Sequence, residues 1–170
     1  MRAARLANLP TAGGDALGLA NASPGATAVI DTNAWLDLFV FRDARAQGLV
    51  QALRQRRVLA LRSSRTDAEL HAVLQRPIFA ARLKPADRDA LLREWVETAR
   101  NMEGTAIRTA PWICRDPDDQ KFLDLAFSAG AAWLFTKDRA LLDLARKARL
   151  GGVRILTPEV FAATPLGLQV

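Results

Sequence analysis

From Ala28 onward, short apolar runs rich in Val, Ile and Leu alternate with longer amphipathic stretches. The runs predict buried strands, and the stretches, whose apolar residues recur every three to four positions, predict helices. Such alternation is typical of an α/β protein whose parallel sheet is covered by helices. The predicted strands are Ala28–Asp31, Val58–Arg62, Ala106–Arg108, Ala132–Thr136 and Val153–Leu156. The predicted helices are Ala34–Phe41, Ala44–Arg56, Arg65–Gln75, Pro85–Arg100, Pro117–Ala129, Arg139–Arg149 and Pro158–Ala163.

The first part of the chain has a different pattern. Residues 1–27 hold two prolines and many glycines and show no sustained hydrophobic period. We therefore expect a flexible N-terminal extension at 1–27, one folded domain at 28–163 and a short C-terminal tail at 164–170. The length of 170 residues agrees with a single domain.

Composition excludes several classes of protein. Half of the residues are hydrophobic and a quarter are charged, which is typical of a folded chain and not of a disordered one. A single cysteine, Cys114, and a single histidine, His71, rule out a disulfide scaffold and the usual zinc sites. The sequence contains neither an apolar run of membrane-spanning length nor a signal peptide, so we expect a cytoplasmic protein without membrane contact.

Four acidic residues fall where the C-terminal ends of parallel strands would meet, the edge at which such sheets place their sites. Asp31 is the strongest candidate of the four, because an ionised carboxylate that ends a buried strand needs cations or several donors around it. Asp31 ends the first strand, Glu69 lies in the helix after the second, Asp119 follows Pro117, and Asp138 follows the fourth strand.

Most of these acids also have a purely structural interpretation as helix caps or first-turn charges. Both interpretations stay open at this point. Asp116 could cap the helix that begins at Pro117, with Asp118 and Asp119 in its first turn; Thr66 and Glu69 have the spacing of a capping box; and Asp138 could cap the helix that begins at Arg139.

Taken together, the acids predict a metal site. Carboxylates brought close together raise one another's pKa unless a cation neutralises them, and Mg²⁺ or Mn²⁺ prefers oxygen ligands. A metal held by carboxylates, with no nucleophilic side chain nearby, can polarise a phosphoryl oxygen and activate water for phosphodiester hydrolysis. The 24 basic residues against 18 acidic ones fit a polyanionic substrate, although an arginine-rich composition alone is only a hint.

Four segments carry a resemblance to a known family. They are AVIDTNAWLD, DAELHAVLQRP, CRDPDDQKFLDLAFSAGAAWLFTKD and VRILTPEVF, in this order between about Ala28 and Phe161. Together they resemble PIN-domain nucleases, and within them the VapC-like toxin components of bacterial toxin–antitoxin pairs.

The resemblance implies a doubly wound, three-layer α/β/α fold with a central parallel sheet of about five strands. It also implies a Mg²⁺- or Mn²⁺-dependent endoribonuclease. By position, the catalytic acids would be Asp31, Glu69, Asp119 and Asp138. The metal would be held by Asp31, Asp119 and Asp138, with Asp116 as a further acid whose role as ligand or cap is open. Asn33 and Thr136 match polar residues that position the acids.

The resemblance further implies partners. These are an RNA substrate, a small antitoxin whose Arg or Lys side chains reach the carboxylates, and a second copy of the chain in a homodimer. Two alternatives remain: a PIN-like RNA-binding or scaffold module with little catalysis, and a housekeeping RNA-processing nuclease.

Overall fold

The computed structural model describes residues 26–164 and Gly167. The extension expected at 1–27 lies outside this range except for Ala26 and Thr27, which begin the first strand. The tail expected at 164–170 lies outside it except for Thr164 and Gly167. The strands are β1 (Ala26–Ile30), β2 (Val58–Arg62), β3 (Ala99–Asn101), β4 (Trp133–Phe135) and β5 (Arg154–Leu156). The α-helices are α1 (Thr32–Phe39), α2 (Gln47–Arg54), α3 (Ser64–Leu74), α4 (Pro77–Ala80), α5 (Pro85–Thr98), α6 (Gln120–Ser128), α7 (Arg139–Leu142), α8 (Ala145–Leu150) and α9 (Pro158–Ala162).

The five strands form one parallel sheet in the order β3-β2-β1-β4-β5. The chain builds the sheet outward from β1 to β3 and then returns to the other side of β1 to add β4 and β5. The connections that follow β1 and β4 therefore run towards opposite edges of the sheet. Open α/β sheets form a crevice at the strand ends where this reversal occurs, here between β1 and β4. This topology confirms the predicted doubly wound fold.

Helices cover both faces of the sheet because successive strand residues point to opposite sides. In β1, Ala28 and Ile30 belong to a hydrophobic cluster with Trp35 of α1, to which α2, α3, α5 and α9 also contribute. Val29 belongs to a second cluster with Phe122 of α6, shared with α7 and α8. The core thus has two halves separated by the sheet. No helix in the described residues is both long enough and apolar enough to cross a membrane.

The third strand is not where the sequence pattern placed it. The segment Ala106–Arg108 is exposed and has no regular structure, whereas β3 occupies Ala99–Asn101 at the end of the segment predicted as the helix Pro85–Arg100. The helix stops at Thr98 because Ala99 turns to an extended backbone and pairs with β2. The Arg62 side chain secures this pairing, since its Nε donates to the Ala99 carbonyl at 3.1 Å.

Other helices differ from prediction mainly at their first turns. The predicted helix Ala44–Arg56 begins with a 3-10 turn at Ala44–Ala46, and Pro117–Ala129 begins with one at Pro117–Asp119. The predicted helix Arg139–Arg149 is divided into α7 and α8. The 3-10 turn at Pro117–Asp119 matters for function because it carries one of the candidate acids.

Candidate active site

Asp31 lies at the C-terminal end of β1, beside β4. Its amide donates to the Phe135 carbonyl at 3.0 Å, and its Oδ1 accepts from the Ala34 amide at 2.7 Å, which caps α1. The residue is only 3% exposed, and its other oxygen, Oδ2, is buried with no hydrogen-bond partner in the described part of the chain. Cap formation therefore uses one oxygen of Asp31 and leaves the second without compensation.

Burial raises the pKa of Asp31 to about 6, against the opposing effect of the neighbouring Thr136 side chain and the Ala34 amide. The charges of Asp119 and Glu69 raise it further. Three of the candidate acids are thus close enough to interact electrostatically. This interaction penalises their simultaneous ionisation unless a cation neutralises them.

Thr136 connects two of the acids. It follows β4, its side chain lowers the pKa of the neighbouring Asp31 carboxyl, and its Oγ1 accepts from the Asp138 amide at 2.9 Å. The side chain is completely buried, so its position is fixed by packing. Asn33, the other polar residue expected to position the acids, is instead exposed in the first turn of α1, and its side chain forms no hydrogen bond to them within residues 26–164.

Glu69 projects from the second turn of α3. The capping box of this helix is formed by Ser63 and Thr66, so the interpretation of Thr66 and Glu69 as a capping box is wrong. Glu69 is instead ion-paired with Lys121 of α6 through its buried Oε2. Lys121 is a site residue that the sequence analysis missed.

Asp119 is the acid that interacts with most of the others. Burial raises its pKa to about 6, and the neighbouring carboxylates of Asp138, Asp116 and Glu69 add to this in that order. Lys121 acts in the opposite direction. The 3-10 turn therefore places Asp119 between the acids of α3 and those at the start of α7.

Asp116 and Asp138 line the same open cleft, and both cap helical segments. Asp116 Oδ1 accepts from the Asp118 amide at 2.9 Å, and Asp138 Oδ1 accepts from the Ala140 amide at 2.6 Å. The interpretation of these two acids as caps is confirmed. Capping occupies one oxygen of each carboxylate, so a second role for them as ligands stays a prediction.

A second charged cluster lies next to Asp138. Lys137 Nζ contacts Asp37 Oδ2 at 2.8 Å, Glu159 Oε1 at 2.6 Å and Asp43 Oδ2 at 3.3 Å. These three acids come from α1, the segment before the 3-10 turn at Ala44–Ala46, and α9. They hold the pKa of Lys137 above its usual range even though burial opposes this. No sequence motif predicts this cluster, because its members meet only through tertiary packing.

The side chains around Asp31 supply the oxygen donors that a hard cation prefers, but they are not arranged as a complete coordination sphere. Within the described residues, no group of three or more His, Cys, Asp or Glu side chains is arranged so that it could hold a metal ion as it stands. The donor set is nonetheless all oxygen, it includes the buried partnerless Oδ2 of Asp31, and the pKa of both Asp31 and Asp119 is raised. These features fit a divalent cation such as Mg²⁺ or Mn²⁺.

Comparison with protein families shows a match to the PIN domain over residues 27–140, which is more than half of the chain. The chain belongs to the PIN domain family. PIN domains are generally nucleases that hydrolyse phosphodiester bonds, and they usually use divalent metals. Nucleic acid is accordingly the substrate class that membership in the PIN family indicates. Comparison with curated proteins finds no match for this PIN-domain chain.

Proposed function

We propose that the chain is a Mg²⁺- or Mn²⁺-dependent endoribonuclease whose catalytic acids are Asp31, Glu69, Asp119 and Asp138. The observation that carries the proposal is the Oδ2 of Asp31, which is buried without a hydrogen-bond partner among the described residues and lies within electrostatic reach of Asp119 and Glu69. An uncompensated carboxylate buried at this depth destabilises the fold. A protein that only binds RNA would gain nothing from it in return.

The residues around the acids support the proposal because they hold the carboxyl groups in place. Thr136 and the Ala34 amide orient the Asp31 carboxyl, and the ion pair with Lys121 fixes Glu69. Asp31, Asp119 and Asp138 would hold the cation, with Asp116 as a further oxygen donor. When bound, the cation would polarise a phosphoryl oxygen of the substrate and lower the pKa of a water molecule.

We further propose that the enzyme is the toxin of a toxin–antitoxin pair, as its resemblance to the VapC-like branch implies. In this role its partner is a small antitoxin that presents Arg or Lys to the carboxylates, and the toxin pairs as a homodimer. A guanidinium suits such a site because its planar fork binds a carboxylate through two hydrogen bonds. Cytoplasmic RNA would be the target.

Nuclease activity is tested by incubating the purified chain with single-stranded RNA, structured RNA and single-stranded DNA, in Mg²⁺, Mn²⁺ or EDTA. We expect cleavage of RNA with either metal and none in EDTA. Asp31→Asn should reduce turnover to background while keeping the fold, because the Asn side-chain oxygen can still accept the Ala34 amide. Asp89→Asn, at an exposed position on α5, is the matched control.

Two results would overturn the mechanism: cleavage in EDTA, or undiminished cleavage by Asp31→Asn. Preferential cleavage of DNA would overturn only the assignment of RNA as the substrate. Binding of RNA without cleavage under any metal condition would favour the scaffold module. The toxin role is tested by expressing the chain alone and together with its genomic neighbour. Equal growth in both cases, with active soluble enzyme present, would indicate a housekeeping nuclease instead.

A further inference from the structure

Two open clefts adjoin the candidate acids. One, of about 430 Å³, is lined by Asp116 and Asp138 together with Arg115 and Arg139. The other, of about 610 Å³, is lined by Glu69, Arg65 and Lys121, among others. Pro117, at the start of the 3-10 turn that carries Asp119, lines both clefts. The clefts therefore share Pro117 in their walls, and a ligand that lies along both of them passes Glu69, Asp116 and Asp138.

Local backbone structure places each arginine beside an acid. Arg115 directly precedes Asp116, and Arg139 directly follows Asp138. Arg65 lies one helical turn before Glu69 on α3, and residues four apart on a helix are neighbours on its surface. An arginine therefore accompanies an acid at both ends of the path.

These arginines are available to a ligand. Arg65 and Arg139 are exposed, and neither forms an ion pair within the described part of the chain. Arg115 is 73% exposed, and its contact with Asp143, at 3.8 Å between two exposed side chains, contributes little. By contrast, Arg62, three residues before Arg65, is held by Asp67 at 2.5 Å, and its side chain is 13% exposed.

We propose that Arg65 in one cleft, and Arg115 and Arg139 in the other, bind the phosphates of a single nucleic acid strand on either side of the phosphodiester at the acids. The proposal rests on the proposed function for the position of that phosphodiester. Guanidinium groups bind phosphate through paired hydrogen bonds and carry no sequence information. Among residues 26–164, no aromatic side chain lines either cleft, so the strand is held by its backbone and not by stacking of its bases.

A single strand is the form of substrate that this arrangement fits. Asp31 is 3% exposed, so the reacting phosphodiester must approach a recessed carboxylate. A flexible strand can bend towards such a point, whereas the backbone of a duplex is held by its paired partner.

The test measures binding without cleavage, by fluorescence polarisation of labelled uridine and adenosine RNA oligomers of about 20 nucleotides, longer than typical single-strand sites. EDTA is present to prevent hydrolysis. We expect Arg65→Ala and Arg139→Ala each to weaken binding roughly two- to fivefold on both RNAs and to reduce the salt slope by about 0.7 per phosphate contact. The double variant should weaken binding by the product of the two single factors. Arg139→Lys should lose less RNA affinity than Arg139→Ala.

Arg93→Ala is the matched control, because Arg93 is exposed on α5 and lines neither cleft. The proposal is overturned if the double variant binds with wild-type affinity and salt slope, or if a duplex of the same length binds as tightly with the same dependence on the arginines. The binding assay does not measure cleavage. An absence of ribonuclease activity in the separate nuclease assay would therefore refute the proposed function and leave the binding result unchanged. Unchanged binding in the variants of an active ribonuclease would refute only the phosphate path.

Discussion

Lys121 is ion-paired with Glu69, so a cation from α6 neutralises one of the acids that α3 contributes to the site. The same ammonium also lowers the pKa of Asp119, against burial and three neighbouring carboxylates. Lys121 thus reduces the repulsion among the acids in the protein without metal. It also holds Glu69 in one position, which a flexible glutamate on a helix surface would not otherwise keep.

We therefore expect Lys121→Met to raise the pKa of Asp119 above its value of about 6, since Lys121 is the cation that opposes the increase. The measurement is a carboxyl carbon NMR titration of both proteins in EDTA. Lys147→Met, at an exposed lysine on α8, is the control and should leave the titration of Asp119 unchanged. An equal or lower pKa in Lys121→Met would contradict the assigned interaction.

Asp31→Asn should stabilise the protein at neutral pH. The folded-state pKa of Asp31 is about 6 against an ordinary value of 3.8, so its contribution to stability is full below pH 4 and is lost as pH rises through 6. Above pH 6 the neutral variant should have the larger free energy of unfolding, by about 1–3 kcal/mol after allowing for its new amide donors.

This difference is measured by urea unfolding of both proteins at pH 7.5 and pH 4, in EDTA. It should be present at the higher pH and close to zero at the lower one. Asp89→Asn should show no comparable dependence, because Asp89 is exposed. A variant less stable than wild type at pH 7.5 would mean that the buried Asp31 charge is already compensated in the folded protein.

Divalent metal should remove the electrostatic penalty at the site and so raise the midpoint of thermal unfolding. A ligand that binds only the folded state stabilises it by about 2.7 kcal/mol at a hundred times its dissociation constant. We expect this increase with Mg²⁺ or Mn²⁺ in the wild type and in Asp89→Asn, measured by calorimetry against EDTA. It should be lost in Asp31→Asn and in Asp119→Asn. A shift that persisted in both of these variants would place the metal elsewhere.

The sequence was sufficient for most of the fold because the hydrophobic pattern follows directly from burial. The runs at β1, β2 and β4 are mainly apolar on both faces, as strands covered by two layers of helices must be. β3 could not be found in this way. Ala99 and Arg100 continue an amphipathic helix in sequence, and the strand conformation of Ala99–Asn101 depends on pairing with β2 and on the Arg62 side chain.

The candidate acids could be found for a similar reason, since strand ends and helix starts are visible in sequence. The residues that surround the acids could not be predicted in this way. Lys121 and Glu69 are on different helices and meet only after α3 and α6 have packed. The exposure of Asn33 also follows from a local structural detail: Asp31 caps α1, so the helix begins at Thr32 and Asn33 faces outward in its first turn.

Lys137 should be important both for stability and for the position of Asp138. Its ammonium joins Asp37, Asp43 and Glu159, and removal of that charge leaves three partly buried acids near one another without their common cation. We expect Lys137→Met to lower the free energy of unfolding by roughly 1–2 kcal/mol at pH 7.5, between the values of exposed and buried ion pairs.

The pH dependence distinguishes this effect from simple loss of packing. The pKa of Glu159 is lowered in the fold, with Lys137 as the main source of the decrease against burial, so the stabilisation is present at neutral pH and is lost as pH falls through the acidic range. Chemical unfolding of Lys137→Met, Lys137→Arg and wild type at pH 7.5 and pH 3.5 provides the measurement. The loss in Lys137→Met should shrink at the lower pH, and Lys137→Arg should retain part of the stability. A loss of equal size at both pH values would show that Lys137 acts through its aliphatic chain and not through its charge.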